Sequence, residues 1–180
     1  GTLVGTRLAN AGYRTRFLVR PHQRDNIQSR GFVIHENDSI VTLPQPVLTT
    51  MEEEKRVTRH VDVIVLAIKS YDTAECITEL EAIKDNLPPI LCLQNGVDNE
   101  TLLAEAFGLE RVIAGTLTTA VSKNNYGEVI VERARGMGLV EGHPLSCSLA
   151  AALGASGFVT KLYRNTLAMK WSKLLTNLLA

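Results

Sequence analysis

Lys173 and Asn177 stand four residues apart in Trp171-Ser172-Lys173-Leu174-Leu175-Thr176-Asn177. On a helix that spacing puts both side chains on one face, about one turn apart. An ammonium held near an anionic keto acid can attract the carboxylate and donate a proton to the carbonyl oxygen. A polar helix face beside Lys170 is the other reading of the same spacing. Asn95, in Leu93-Gln94-Asn95-Gly96, follows an apolar run; Asn-Gly is first a turn dipeptide, yet in that place its amide could touch a nicotinamide or a substrate. Lys69 closes Val65-Leu66-Ala67-Ile68 and could hold its ammonium in a cleft or simply reach solvent. Arg20 ends Phe17-Leu18-Val19. At the end of a strand in a dinucleotide fold, an acidic residue accepts the 2′-hydroxyl of NAD, whereas a guanidinium fork suits a 2′-phosphate, so Arg20 favours NADP. With Arg14, Arg16 and Arg24 close by, a solvated arginine is the alternative. Gly1 precedes a helix whose free N–H groups could receive a pyrophosphate, or is a turn residue only.

The elements that must position these residues alternate. Residues 1–12 read as a helix in which Gly1, Gly5 and Ala9 form a small-residue face suited to close packing on a sheet, with Gly12 as its stop. A strand around Phe17-Leu18-Val19, a helix over Pro21–Ser29 and a strand-rich stretch from Gly31 to Thr49 follow. Val61–Ile68 reads as the strongest strand, its unbroken apolar character marking burial on both faces. Then come a helix over Tyr71–Ile83, a strand at Ile90–Leu93, a helix over Asn99–Phe107 and a strand at Val112–Ala120. Asn125-Tyr126-Gly127 signals a turn into an antiparallel strand at Glu128–Glu132. A helix over Leu145–Leu153, a strand at Phe158–Leu162 and a helix over Asn165–Ala180 complete the order. Leu167, Trp171, Leu174, Leu175 and Leu178 form one apolar face of that last helix.

This β-α repetition implies an α/β fold of Rossmann type, a doubly wound and mostly parallel sheet. A helix opening the chain with no strand before it suggests that a first strand is missing, and the apolar face of the final helix suggests the opening of an all-helical second domain. The expected division is residues 1–162 for the dinucleotide-binding domain and 163–180 for the first helix of the next. In the usual strand order 3-2-1-4-5-6 the missing strand is central, and its loss leaves strands two and four with open edges.

Composition sets the outer limits. The 180 residues are 45% hydrophobic and 21% charged, enough for one ordinary core. Nineteen basic and nineteen acidic residues cancel, so no whole-chain field draws nucleic acid or an anionic membrane. The longest apolar run, Val63 to Ile68, is far short of the roughly 20 residues of a membrane helix. Cys76, Cys92 and Cys147 are scattered and read as buried small apolar residues in a reducing, cytoplasmic setting. His22, His35, His60 and His143 lack metal-ligand spacing and read as surface or loop residues, so no metal site is expected. The oligomeric state stays open, a homo-oligomer among the options.

Taken together the pieces resemble the ketopantoate reductase (2-dehydropantoate 2-reductase) family, which joins an N-terminal Rossmann domain to a C-terminal helical one. The carriers are Gly1 to Ala9, similar to the end of the G-x-G-x-x-G turn and its helix, with Leu18-Val19-Arg20, Ala67-Ile68-Lys69-Ser70-Tyr71, Leu93-Gln94-Asn95-Gly96, Gly115-Thr116-Leu117-Thr118-Thr119-Ala120, and Trp171-Ser172-Lys173 with Asn177. By that resemblance Gly1 is the third glycine of the phosphate turn, Arg20 contacts the 2′-phosphate, and Lys69, Asn95 and Ala120 line the NADP site. Lys173 is the proton donor, with Asn95 and Asn177 near the substrate. The resemblance implies NADPH-dependent reduction of 2-dehydropantoate, a small 2-oxo acid, to (R)-pantoate in pantothenate and coenzyme A synthesis. Another branched 2-oxo acid as substrate, or a non-catalytic NADP sensor, are the competing readings.

The first two glycines of the fingerprint are not in the sequence, nor is the helical domain in which the family keeps a catalytic glutamate. Residues 1–180 alone are therefore expected to consume no NADPH with 2-dehydropantoate in a spectrophotometric assay. Turnover at the rate of a complete enzyme would contradict that expectation.

Overall fold

Short apolar runs alternate with helix-forming stretches to give eleven strands and seven α-helices among the described residues. The computed structural model describes residues 1–56 and 60–178, with side chains as far as residue 175. The strands are β1 (Arg16–Leu18), β2 (Phe32–Glu36), β3 (Ser39–Leu43), β4 (Val47–Thr49), β5 (Ile64–Leu66), β6 (Ile90–Cys92), β7 (Val112–Leu117), β8 (Ala120–Asn125), β9 (Glu128–Arg133), β10 (Met137–Val140) and β11 (Thr160–Tyr163). The helices are α1 (Thr2–Asn10), α2 (Pro21–Arg30), α3 (Met51–Arg56), α4 (Thr73–Glu81), α5 (Asn99–Phe107), α6 (Ser146–Ala155) and α7 (Thr166–Leu178).

The main sheet has the order β11-β10-β7-β6-β5. Strands β5, β6 and β7 run parallel, β10 is antiparallel to β7, and β11 is parallel to β10. Successive residues of β6 point to opposite faces. Leu91 meets a cluster containing Leu3 and Val4 of α1 and Leu153 of α6, while Ile90 and Cys92 meet Leu80 of α4 and Leu103 and Phe107 of α5. Helices thus cover both faces, as a doubly wound fold requires. A parallel pair, β1 with β4, and a four-stranded sheet, β3-β2-β9-β8, complete the architecture. The second of these contains the expected hairpin: β8 and β9 pair antiparallel around Tyr126-Gly127, with Gly127 at φ +77°.

Between β1 and β5 lies a trough of about 1890 Å³, lined by residues of both strands and by Gly1 and Gly5 of the first helix. Among the described residues no ladder joins the two strands: β1 pairs with β4 and β5 with β6. The trough falls where the order 3-2-1-4-5-6 puts the central strand. The small-residue face of α1 works as its spacing suggests, because a Cβ on Gly5 would run into the ring of Phe17 in β1.

Several elements differ from their sequence readings. β5 is confined to Ile64–Leu66, and only Leu66 is buried. It is the edge strand and one side borders the trough; the strand with every residue buried is β6. β10 and α3 carry no sequence signal that marked them. Cys92 is buried and Cys76 half-buried, but Cys147 is exposed. Ser146, Ala150 and Leu153 are the residues α6 turns inward, which leaves Cys147 on its outer side. On α7, Met169 and Lys170 are buried while Leu167, Trp171 and Leu175 are exposed; the side chain of Leu178 lies outside the described residues.

Ile64 and Ile90 are register partners of the same chemistry, one half-buried and one fully buried. Ile90→Ala is expected to cost about 2–5 kcal/mol in urea unfolding and Ile64→Ala clearly less. Equal losses would contradict the assignment of β6 as the doubly covered strand.

Candidate functional site

The site is built on the turn that leaves β6. Gly96 has φ +99°, a left-handed conformation that glycine adopts without strain, and it turns the chain out of the sheet toward α5. Buried amides and hydroxyls pin that turn. Gln94 Nε2 donates to Thr73 Oγ1 at 2.8 Å, and Thr73 Oγ1 donates to Asn99 Oδ1 at 3.0 Å. Asn99 Nδ2 donates to the Asn95 carbonyl at 2.8 Å, which also accepts from Ser70 Oγ at 3.0 Å. The network ties the end of β6 to the starts of α4 and α5, and it aims the Asn95 side chain away from the network, toward α7.

Helix α7 supplies the opposite wall. Asn165 caps it, Oδ1 accepting the Ala168 N–H at 2.8 Å. One turn further on, Lys170 is buried, only 3% exposed. Its Nζ donates to the Gln94 carbonyl at 2.9 Å and lies 2.6 Å from Glu100 Oε1, in the first turn of α5. Lys173, three residues on, is half-buried and donates from Nζ to Asn95 Oδ1 at 2.6 Å. Burial, and secondarily the like charge of Lys170, lower the Lys173 pKa from 10.5 to about 8. Gln94, Asn95, Gly96, Thr116, Lys170, Lys173 and Leu174 line a pocket of about 20 Å³, room for one water-sized group. An ammonium that exchanges its proton near neutral pH, beside a fixed amide, can bind an anion and protonate an oxygen.

The remaining candidates are not among the described lining of this pocket. Gly1 and Arg20 both line the trough. Gly1 is the N-cap of α1, with no side-chain cap bond and open space where a Cβ would stand. The Arg20 guanidinium is largely exposed and lies 3.7 Å from Asp72 and 4.0 Å from Glu75. Lys69 is exposed, and its carbonyl accepts from Gln94 Nε2 at 3.4 Å, which links the end of β5 to the Asn95 turn. Ala120 opens β8 opposite Arg133 and is not among the described lining of either cavity. Asn177 lies in the last turn of α7, its side chain outside the described residues. Thus Asn95 and Lys173 meet directly, Gly1 and Arg20 share the trough, and Lys69 touches the Asn95 turn through its carbonyl. Glu100, Thr73 and Asn99 carry no motif in sequence, and Lys170 reads there only as part of a polar helix face; only their burial and mutual contacts show their part.

Residues 1–141 match the family described as Ketopantoate reductase PanE/ApbA. The chain is similar to the 2-dehydropantoate 2-reductase of Halobacterium salinarum, 28% identical over 98% of this chain and 59% of the relative. It is also similar to that of Pyrococcus horikoshii, 27% identical over 98% of this chain and 57% of the relative. The chain therefore spans under three fifths of these curated relatives. Among solved structures it is similar to the 2-dehydropantoate 2-reductase of Methylococcus capsulatus, with TM-score 0.82 and 22% identity over 98% of this chain and 57% of that one. A D-mandelate dehydrogenase in complex with NADH and anilino(oxo)acetate aligns with TM-score 0.74 at 19% identity, over 91% of this chain and 53% of that one.

Thr73 is 1% exposed and bridges Gln94 to Asn99. Thr73→Val keeps the shape and removes one hydrogen bond from each amide, so it should cost about 1–3 kcal/mol in denaturant unfolding. A neutral effect would mean that the turn is held by other contacts.

Proposed function

Because the chain belongs to the ketopantoate reductase PanE/ApbA family, we propose that it serves in the NADPH-dependent reduction of 2-dehydropantoate to (R)-pantoate. The observation that carries this reading is the 2.6 Å contact from Lys173 Nζ to Asn95 Oδ1 beside a buried second ammonium. The names of the relatives from Halobacterium salinarum and Pyrococcus horikoshii support the substrate.

The residues present fit a dinucleotide. The uncapped N-terminus of α1 with open space at Gly1 suits a pyrophosphate, and the exposed Arg20 fork at the far rim of the trough suits a 2′-phosphate. Arg20 would leave its pairing with Asp72 and Glu75 to take that phosphate, and Lys69 and Ala120 would complete the cofactor side. When bound, the reduced nicotinamide supplies the hydride that reaches the ketone carbon. Lys173 then gives its proton to the developing alkoxide, forming the O–H bond of the product alcohol as its own N–H bond breaks. Asn95 holds the Lys173 ammonium in place beforehand, and Asn177 is the further substrate contact on the same helix. The ammonium of Lys173 attracts the substrate carboxylate to this end of the sheet.

The test is NADPH oxidation by the full-length protein, with 2-dehydropantoate offered against other branched 2-oxo acids and NADH run in parallel. NADPH and 2-dehydropantoate should be preferred, and Arg20→Ala should erode the preference for NADPH. Lys173→Ala should lower kcat about 10²–10⁴-fold. The donor must be protonated, so kcat/KM should hold below and fall as pH rises through about 8. Undiminished turnover in Lys173→Ala, or no turnover with any of the acids despite NADPH binding, would overturn the reading, the latter in favour of an NADP sensor.

A further inference from the structure

Lys170 is the most deeply buried charged side chain in the functional region, and the proton transfer described above makes no use of it. A lysine at 3% exposure is costly unless paired, and this one has two partners on different elements. Its Nζ donates to the Gln94 carbonyl at the end of β6 and lies against Glu100 on α5. Gln94 immediately precedes Asn95, and Lys170 immediately precedes the turn of α7 that carries Lys173. One ammonium therefore fixes both halves of the Asn95–Lys173 contact relative to each other.

We propose that Lys170 and Glu100 form a positioning pair that clamps α7 to the turn after β6 and so holds the Lys173 ammonium at the Asn95 amide. The proposal deepens the reductase reading and rests on it for its kinetic consequences. The clamp also brings a second positive charge to Lys173, which adds to burial in lowering its proton affinity. The charged and titratable groups facing the clamp, among the described residues, are Glu100 on α5, Cys92 at the end of β6 and Lys173 on α7 itself. The Cys92 thiol is pushed up to about 12, chiefly by burial, and stays neutral at working pH. Among these described groups, Lys170 is the one whose positive charge opposes that of Lys173. A Lys170 that does not reach Lys173 electrostatically would leave the titration of Lys173 unchanged.

The experiment uses the full-length protein and three variants: Lys170→Met, Lys170→Arg, and the pair Lys170→Met with Glu100→Leu, which removes the charge without leaving a buried carboxylate unpaired. Two readouts are taken, the pH dependence of kcat/KM for 2-dehydropantoate and the pH dependence of acetic anhydride labelling at Lys173, located by mass spectrometry. In Lys170→Met and in the double variant, both midpoints should rise from about 8 by about half a pH unit or more. In the same variants kcat should fall about tenfold or more as the geometry loosens. Lys170→Arg keeps the charge and its donors and should restore the wild-type midpoints. If the wild-type protein turns over no 2-oxo acid, the reductase reading fails, while the labelling midpoints still decide the pairing. A folded double variant with wild-type labelling and kinetic midpoints would overturn the proposal and leave Lys170 a purely structural residue.

Discussion

A lysine ammonium removed from water must find its compensation inside the protein, and the placement of Lys170 organises everything around it. Burying an ammonium costs several kcal/mol, which only close partners offset. Here those partners are a carboxylate at the first turn of α5, where the positive end of the helix dipole also favours it, and the backbone carbonyl of Gln94. Both partners belong to the β6–turn–α5 unit, and the ammonium belongs to α7. The pair therefore ties α7 to the end of β6, beside the contact between Lys173 and Asn95.

The sheet supports this arrangement from below. β6 is buried along its whole length between α1 and α6 on one side and α4 and α5 on the other, so its carboxyl end is a rigid platform. The Thr73, Gln94 and Asn99 network transmits that rigidity to the turn. The trough between β1 and β5 is open, and the candidate cofactor residues Gly1 and Arg20 lie along it. The rigid half carries the proposed proton donor, and the open half carries the groups proposed for a dinucleotide. That division matches the separate demands of holding a proton in place and admitting a large cofactor.

Much of this was legible in the residues. Helix α5 runs over Asn99–Phe107 as its pattern predicts, and α7 begins at the Asn165 cap where the apolar period starts. The Asn125-Tyr126-Gly127 signal gives the hairpin, and Gly5 packs as its small-residue face requires. What escaped depends on contacts distant in sequence. β10 is a four-residue strand with a glycine inside it, and its strand character comes from β7 and β11 on either side. Val61–Ile68 has the composition of a doubly buried strand, yet its position at the sheet edge leaves it half covered. Lys170 reads only as part of a polar helix face because nothing local announces Glu100. The directly bonded pair of site residues, Asn95 and Lys173, was recognised by motif, while the residues that hold them had no motif to offer.

The central claim is that one buried ion pair locks α7 to the end of β6, and a double-mutant cycle in urea unfolding tests it most directly. Lys170→Met and Glu100→Leu would be measured singly and together. The account predicts that Lys170→Met alone costs about 3–5 kcal/mol, because it strands a buried carboxylate, and that the double variant recovers most of that loss. Simple additivity of the two single losses would contradict it, since independent side chains cannot be the clamp on which the site depends.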